Sequence, residues 1–226
     1  MQNDTFLRTL FSKAHSHDVL IIVNRGGWGY GGIAYEREAR HIIMGIEKFL
    51  TKWGWRCKAI PYKRLKSRGF FTKLGAIFSA SFAYSINSKY LARAIKELRT
   101  KVPHAKVLLV GYSMGGVINN KVMKLLGRYT GVYSIQLGAP FNIKSPKNSH
   151  VLDIRNSLDM FANGTVISFI PAASVSFAFG VIRMLLLKEL NPEKAVKMFG
   201  HKYKWKDVKI RRRIETFLER HFSKKN

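Results

Sequence analysis

An α/β fold is predicted for this chain: one domain with a reduced, mainly parallel central sheet flanked by helices. Three observations predict it. Short, continuous apolar runs, the pattern of strands buried on both faces, recur along the chain. They alternate with segments of helical periodicity, which is the mark of strand–helix–strand units. The length, 226 residues, suits one core and would crowd two.

The elements follow in order. Residues 1–17 lack the uninterrupted apolar run of a signal peptide, so a cytoplasmic or membrane-peripheral protein is expected. Asp18 to Val23 is the first buried strand. A glycine-rich loop, Gly26 to Gly32, follows it. A helix is expected from about Tyr35 to Trp53, because Ala39, Ile42, Ile43, Ile46, Phe49, Leu50 and Trp53 recur at three- and four-residue spacing; Glu36 and Glu38 sit in its first turn. Cys57 to Tyr62 reads as a short strand. Residues 63–83 are basic, then aromatic and small, and fit neither period. Ile86 to Leu98 is helical and Val107 to Val110 is a second buried strand. Gly115 to Leu126 is a helix closed by Gly127 as a C-cap. Val132 to Leu137 and Val151 to Ile154 are further strands. Residues 172–189 read as a helix, and 206–222 as the core of a basic C-terminal helix, 206–226. The longest apolar stretch, 166–187, is interrupted near its start by Pro171 and carries Gly180 and Arg183. A spanning helix needs about 20 mainly apolar residues, so a pocket-forming or lid segment over 165–187 is the simpler expectation.

Composition excludes several classes. Hydrophobic residues at 46% against 23% charged describe a globular chain and not a disordered one. A single cysteine, Cys57, forms no internal disulfide and no cysteine metal cage. The abnormal number is charge: 40 Lys+Arg against 13 Asp+Glu, a net +27. That balance favours an anionic partner without bearing on fold. It also shortens the roster of carboxylates, since Glu97 is the only one between Glu47 and Asp153.

The stretch richest in chemistry is Val107 to Gly116. It contains G-x-S-x-G as Gly111, Ser113 and Gly115, with a buried strand running in and a helix running out. In that context the pattern is a nucleophile elbow. A tight turn lifts the serine oxygen clear at the helix N-terminus, where the N–H of Met114 can donate to an oxyanion with help from the helix dipole.

With these residues the chain resembles the α/β-hydrolase superfamily, and within it small lipase- and esterase-like enzymes. The resemblance runs from Val19 to about His201 and includes Ser134 to Pro140, similar to the G-x-P turn of many lipases. It implies ester hydrolysis by a Ser–His–Asp triad, an acyl-ester or lipid substrate, and no metal or organic cofactor. One departure stands out: such enzymes often carry His-Gly after the first strand, where this chain has Arg25-Gly26.

In this superfamily the acid and then the histidine follow the serine in the chain. The histidines beyond Ser113 are His150, His201 and His221. His150 precedes a strand, at the wrong end of the sheet, and His221 lies in a charged helix, where solvent exposure is expected. His201 sits in a late loop beside Gly200 and is the expected base. Of Asp153, Asp159, Glu189 and Glu193, Asp159 follows a strand by a short loop similar to the acid turn of lipases, with Asp153 second. The second oxyanion donor is expected from the loop after the first strand, Gly27 first and Trp28 next.

Two other readings stay open. The glycine loop also fits G-x-G-x-x-G through Gly27, Gly29 and Gly32, as in a dinucleotide enzyme. No acid follows at the next strand for a ribose, but Lys63 and Arg64 suit a 2′-phosphate, giving an NADP version. The charge suggests a nucleic-acid-binding module, although no nucleic-acid motif accompanies it. A lipase-like enzyme offers another partner, an anionic membrane surface, where each basic residue contributes roughly 1 kcal/mol before screening. His15-Ser16-His17-Asp18 reads as a loop before a strand rather than a metal site.

Overall fold

The computed structural model describes residues 2–24, 37–62, 80–127, 129–139, 149–157, 159 and 203–223. Five strands form its sheet: β1 (Val19–Asn24), β2 (Cys57–Tyr62), β3 (Lys106–Tyr112), β4 (Val132–Leu137) and β5 (Val151–Ile154). Their order is β2-β1-β3-β4-β5 and every pairing is parallel. The apolar runs explain the placement. Every residue of β1 and β4 is buried, as central parallel strands require. Strand β2, at an edge, is only partly covered.

Five described helices cover the sheet: α1 (Gln2–Ala14), α2 (Arg37–Lys52), α3 (Ala80–Lys101), α4 (Met114–Leu126) and α5 (Val208–Phe222). Side-chain alternation along the strands sorts the core into two layers. Leu20, Ile22, Val107 and Leu109 face Leu10 of α1, Leu91 and Ile95 of α3, and Ile118 and Val122 of α4. Val19, Ile21, Leu108 and Val110 face Ile42, Ile43 and Ile46 of α2, and Ile214, Leu218 and Phe222 of α5. The result is a three-layer α/β/α domain, the fold class read from the sequence.

Helix α1 was not anticipated. Its signal is Leu7, Leu10, Phe11 and Ala14 at three- and four-residue spacing, with Leu10 and Ala14 fully buried. Helix α3 starts earlier than its periodicity suggests, at Ala80. The helix expected over 172–189 lies outside the described residues, as do the 165–187 lid segment and residues 63–79. Among the described residues no helix is long and apolar enough to cross a membrane.

The strand order fixes where a ligand can sit. From β1 the chain runs outward to β2, then crosses to β3 on the other side of β1. In open α/β sheets ligands bind beyond the carboxyl ends of the strands at such a switch point. Here it lies between β1 and β3, whose next residues are the glycine-rich loop and Ser113.

Candidate active site

Strand β3 ends at Tyr112 and α4 begins at Met114, leaving Ser113 alone to make the turn. Its backbone sits at φ 52°, ψ −121°, and it is the one non-glycine residue with positive φ among those described. Such a conformation costs about 1–3 kcal/mol and persists only where surroundings impose it. The surroundings are visible. The Ser113 N–H donates to the Leu137 carbonyl of β4 at 2.8 Å, and the Gly116 N–H donates to the Ser113 carbonyl at 2.8 Å. A Cβ on Gly111 would lie 2.6 Å from Asn119 Nδ2 and 2.8 Å from the Gly115 carbonyl group. One on Gly116 would lie 3.0 Å from the Cβ of Ala139. Gly111 and Gly116 let α4 fold back closely onto β3 and the end of β4.

Serine at a helix N-cap normally turns its oxygen back onto the first-turn N–H groups. Ser113 makes no such capping bond. Its side chain is half-buried, and the N–H of Met114 belongs to the first turn, where amides lack intrahelical acceptors.

Beneath this turn Asn24, the last residue of β1, donates through Nδ2 to Asn119 Oδ1 of α4 at 2.5 Å, both side chains fully buried. The bond ties the strand that feeds the glycine loop to the helix that follows Ser113. Neither asparagine was singled out from sequence. The available signal was a polar residue ending an otherwise apolar strand.

Asp159 lies just past β5, on the same carboxyl edge of the sheet. It is fully buried, and its N–H donates to the Asn156 carbonyl at 2.9 Å, closing a tight turn. Its Oδ2 accepts the Tyr203 hydroxyl at 2.5 Å. Asp153, the second choice of acid, lies within β5 and accepts Arg155 Nε at 3.1 Å, and Arg213 Nη2 donates to its main-chain oxygen at 2.8 Å. It is committed to basic neighbours.

The histidines separate. His150 stands at the amino end of β5, as expected, its carbonyl accepting the Ser134 N–H. His221 is not the solvated side chain expected from its helix. It is half-buried, its Nε2 lies 2.7 Å from the Ser149 carbonyl, and its ring packs on Tyr133, His150 and Phe217. Helix α5 is amphipathic, and His221 faces the sheet. Burial first, then the charges of His150, Arg220 and Lys106, lower its pKa against the opposing bond to Ser149. Both histidines sit at the opposite end of the sheet from Ser113. His201, Gly27 and Trp28 lie outside the described residues, as do Gly29, Gly32, Lys63, Arg64, Glu189 and Glu193.

Burial, with Glu47 and Asp18 nearby, pushes the Cys57 thiol up to about 12, so it is a thiol and not a thiolate at neutral pH. Asp18 is engaged by Arg56 at 2.9 Å, and no group of three His, Cys, Asp or Glu gathers among the described residues.

No family model matches this chain, and no curated protein matches it. Among solved structures it is similar to a Trichoderma reesei cutinase in complex with a C11Y4 phosphonate inhibitor. That chain is 15% identical, with a TM-score of 0.49, over 88% of this chain and 86% of the cutinase.

Proposed function

We propose that this protein is a serine hydrolase that cleaves acyl esters through a Ser113–His201–Asp159 triad and an acyl-enzyme. One observation carries the reading: a serine held in a backbone conformation serine disfavours, at the strand–helix junction beside the sheet's switch point, with no capping bond made by its side chain. A structural turn would place glycine there; strain retained at a serine points to its oxygen.

In the proposed reaction Ser113 Oγ attacks the carbonyl carbon as His201 takes its proton. Met114 N–H and a loop amide, Gly27 or Trp28, bind the oxyanion. The imidazolium returns the proton to the departing alkoxide, leaving the acyl-serine. Water, deprotonated by the same histidine, then releases the acid and restores Ser113. Asp159 orients the imidazole, and its burial suits that task. His201 precedes the anchored Tyr203 by two residues. Two residues of extended chain span only about 7 Å, and this short separation supports the choice of His201 as the base. The net +27 suits an anionic membrane surface as the place where lipid ester is met.

The test is labelling with a fluorophosphonate probe and hydrolysis of a p-nitrophenyl acyl ester. Wild type is expected to do both and Ser113→Ala neither, with unchanged circular dichroism. Wild-type turnover in Ser113→Ala, or absent labelling together with saturable NADPH binding, sinks the hydrolase reading.

A further inference from the structure

Resting on that reading, we propose that Tyr203 is a positioning residue for the acid: its hydroxyl holds one carboxylate oxygen of Asp159 and so sets the side chain that orients the catalytic base. The geometry is a closed ring of bonds. The Asn156 N–H donates to Tyr203 Oη at 3.1 Å, the Tyr203 hydroxyl donates to Asp159 Oδ2 at 2.5 Å, and the Asp159 N–H returns to the Asn156 carbonyl at 2.9 Å. The phenol is a spacer between the main chain and the carboxylate of one tight turn.

Two buried polar groups make this arrangement strong. Asp159 and Tyr203 are both fully buried, and a buried carboxylate without donors is costly. A hydroxyl bound to an ionised oxygen is the short, charge-assisted kind. Burial first, and the bond to Asp159 second, push the Tyr203 phenol far above its ordinary value, so tyrosine keeps its proton and donates. The ring is itself fixed. It packs edge-on against Tyr112, the residue before Ser113, with centroids 5.8 Å apart and planes at 89°. Phenylalanine would fill the same space. What tyrosine adds is the oxygen that links the acid turn to the segment leading out of His201.

The test is Tyr203→Phe, with kcat referred to the serine titrated by fluorophosphonate so that unfolded material does not count. A kcat lower by about 10–100-fold is expected, the range found for groups that orient the ligands of a metal, with KM unchanged because a fully buried Tyr203 has no surface to offer substrate. The decisive arm is the same change in an Asp159→Asn background. If Tyr203 acts through Asp159, the second substitution adds little. Additive losses, or a lowered Tm with wild-type kcat per titrated serine, reduce Tyr203 to packing and overturn the proposal. Wild-type activity in Asp159→Asn brings down the triad reading itself; a crippled Asp159→Asn beside an intact Tyr203→Phe brings down only this inference. Should Tyr203→Phe yield no folded protein, proton NMR decides on Ser113→Ala. A slowly exchanging downfield hydroxyl proton, lost or moved upfield by Asp159→Asn, supports the bond, and its absence refutes it.

Discussion

At Ser113 backbone, neighbours and chemistry meet in one residue. Gly111 and Gly116 permit the close approach of α4, the Leu137 carbonyl pins the amide, and the side chain makes no capping bond. The matching expectation concerns the partners proposed for it. Asp159→Asn and His201→Ala are each expected to lower kcat by about 10³–10⁴, and the double variant to be little worse than the poorer single one, because a triad acts as a unit. Steady-state kinetics on the p-nitrophenyl ester measure this. Asp153→Asn, whose carboxylate serves Arg155, is expected to retain activity; the reverse pattern would transfer the acid role to Asp153.

At the scale of elements, three contacts tie α2, α5 and the segment leading into α5 to their neighbours. The ring of Trp205 lies against Gly45 in the middle of α2, so closely that a Cβ there would stand 2.2 Å from the indole. Glycine inside a helix normally costs about 1 kcal/mol relative to alanine. Here the sign should reverse: Gly45→Ala is expected to lower Tm and slow hydrolysis of the p-nitrophenyl ester, since the indole sits four residues beyond His201. A raised Tm refutes that. The far end of α5 is held by Trp55 Nε1 donating to the Phe222 carbonyl at 2.8 Å and Lys106 Nζ donating to that of His221 at 3.0 Å. His221 makes this end sensitive to acid. Its folded pKa is lowered, so the unfolded chain binds the proton first. The stability of a neutral His221 is therefore intact above the ordinary histidine range and lost as pH falls from about 6.5 toward the lower folded value. Thermal melts from pH 7.5 to 5.5 should show Tm falling less steeply in His221→Gln than in wild type. Parallel curves would assign the acid sensitivity elsewhere.

Across the whole molecule the charge is uneven in its commitments. Arg211 pairs loosely with Glu215 at 3.8 Å, whereas Arg212 and Arg220 have no carboxylate partner among the described residues and line a groove with Arg213, Val151, Leu152 and Phe217. Deleting α5 would be a poor probe of this charge, because Ile210, Ile214, Phe217, Leu218 and Phe222 are part of the core. Substitution is cleaner. Lys209→Gln, Arg212→Gln and Arg220→Gln together remove three charges from the net +27. This triple variant is expected to bind vesicles of anionic phospholipid several-fold more weakly, with steep salt dependence in both proteins, while cleaving a soluble short-chain ester at the wild-type rate. Co-sedimentation measures it, with screening over about 8 Å at physiological ionic strength. Duplex DNA at matched salt is the control, since any basic protein gains DNA affinity from counterion release. Tight, salt-resistant DNA binding without preference for anionic vesicles promotes the nucleic-acid reading.

The sequence by itself determined the sheet and the elbow. The fully buried β4 is a mainly apolar run, the edge strands β2 and β5 are short apolar-rich segments, and all three fall at the residues their patterns mark, while G-x-S-x-G between a strand and a helix marks the turn at Ser113. These signals are local, carried by neighbouring residues in the chain. Only the tertiary structure decided what depends on contacts between distant residues. The bond of Asn24 to Asn119 spans 95 positions and that of Tyr203 to Asp159 spans 44. The burial of His221 follows from which face α5 turns to the sheet, not from the charge of its sequence. A polar side chain shows its type in a sequence, but its partner is set by how the layers pack, and in a buried site the partner determines what that side chain can do.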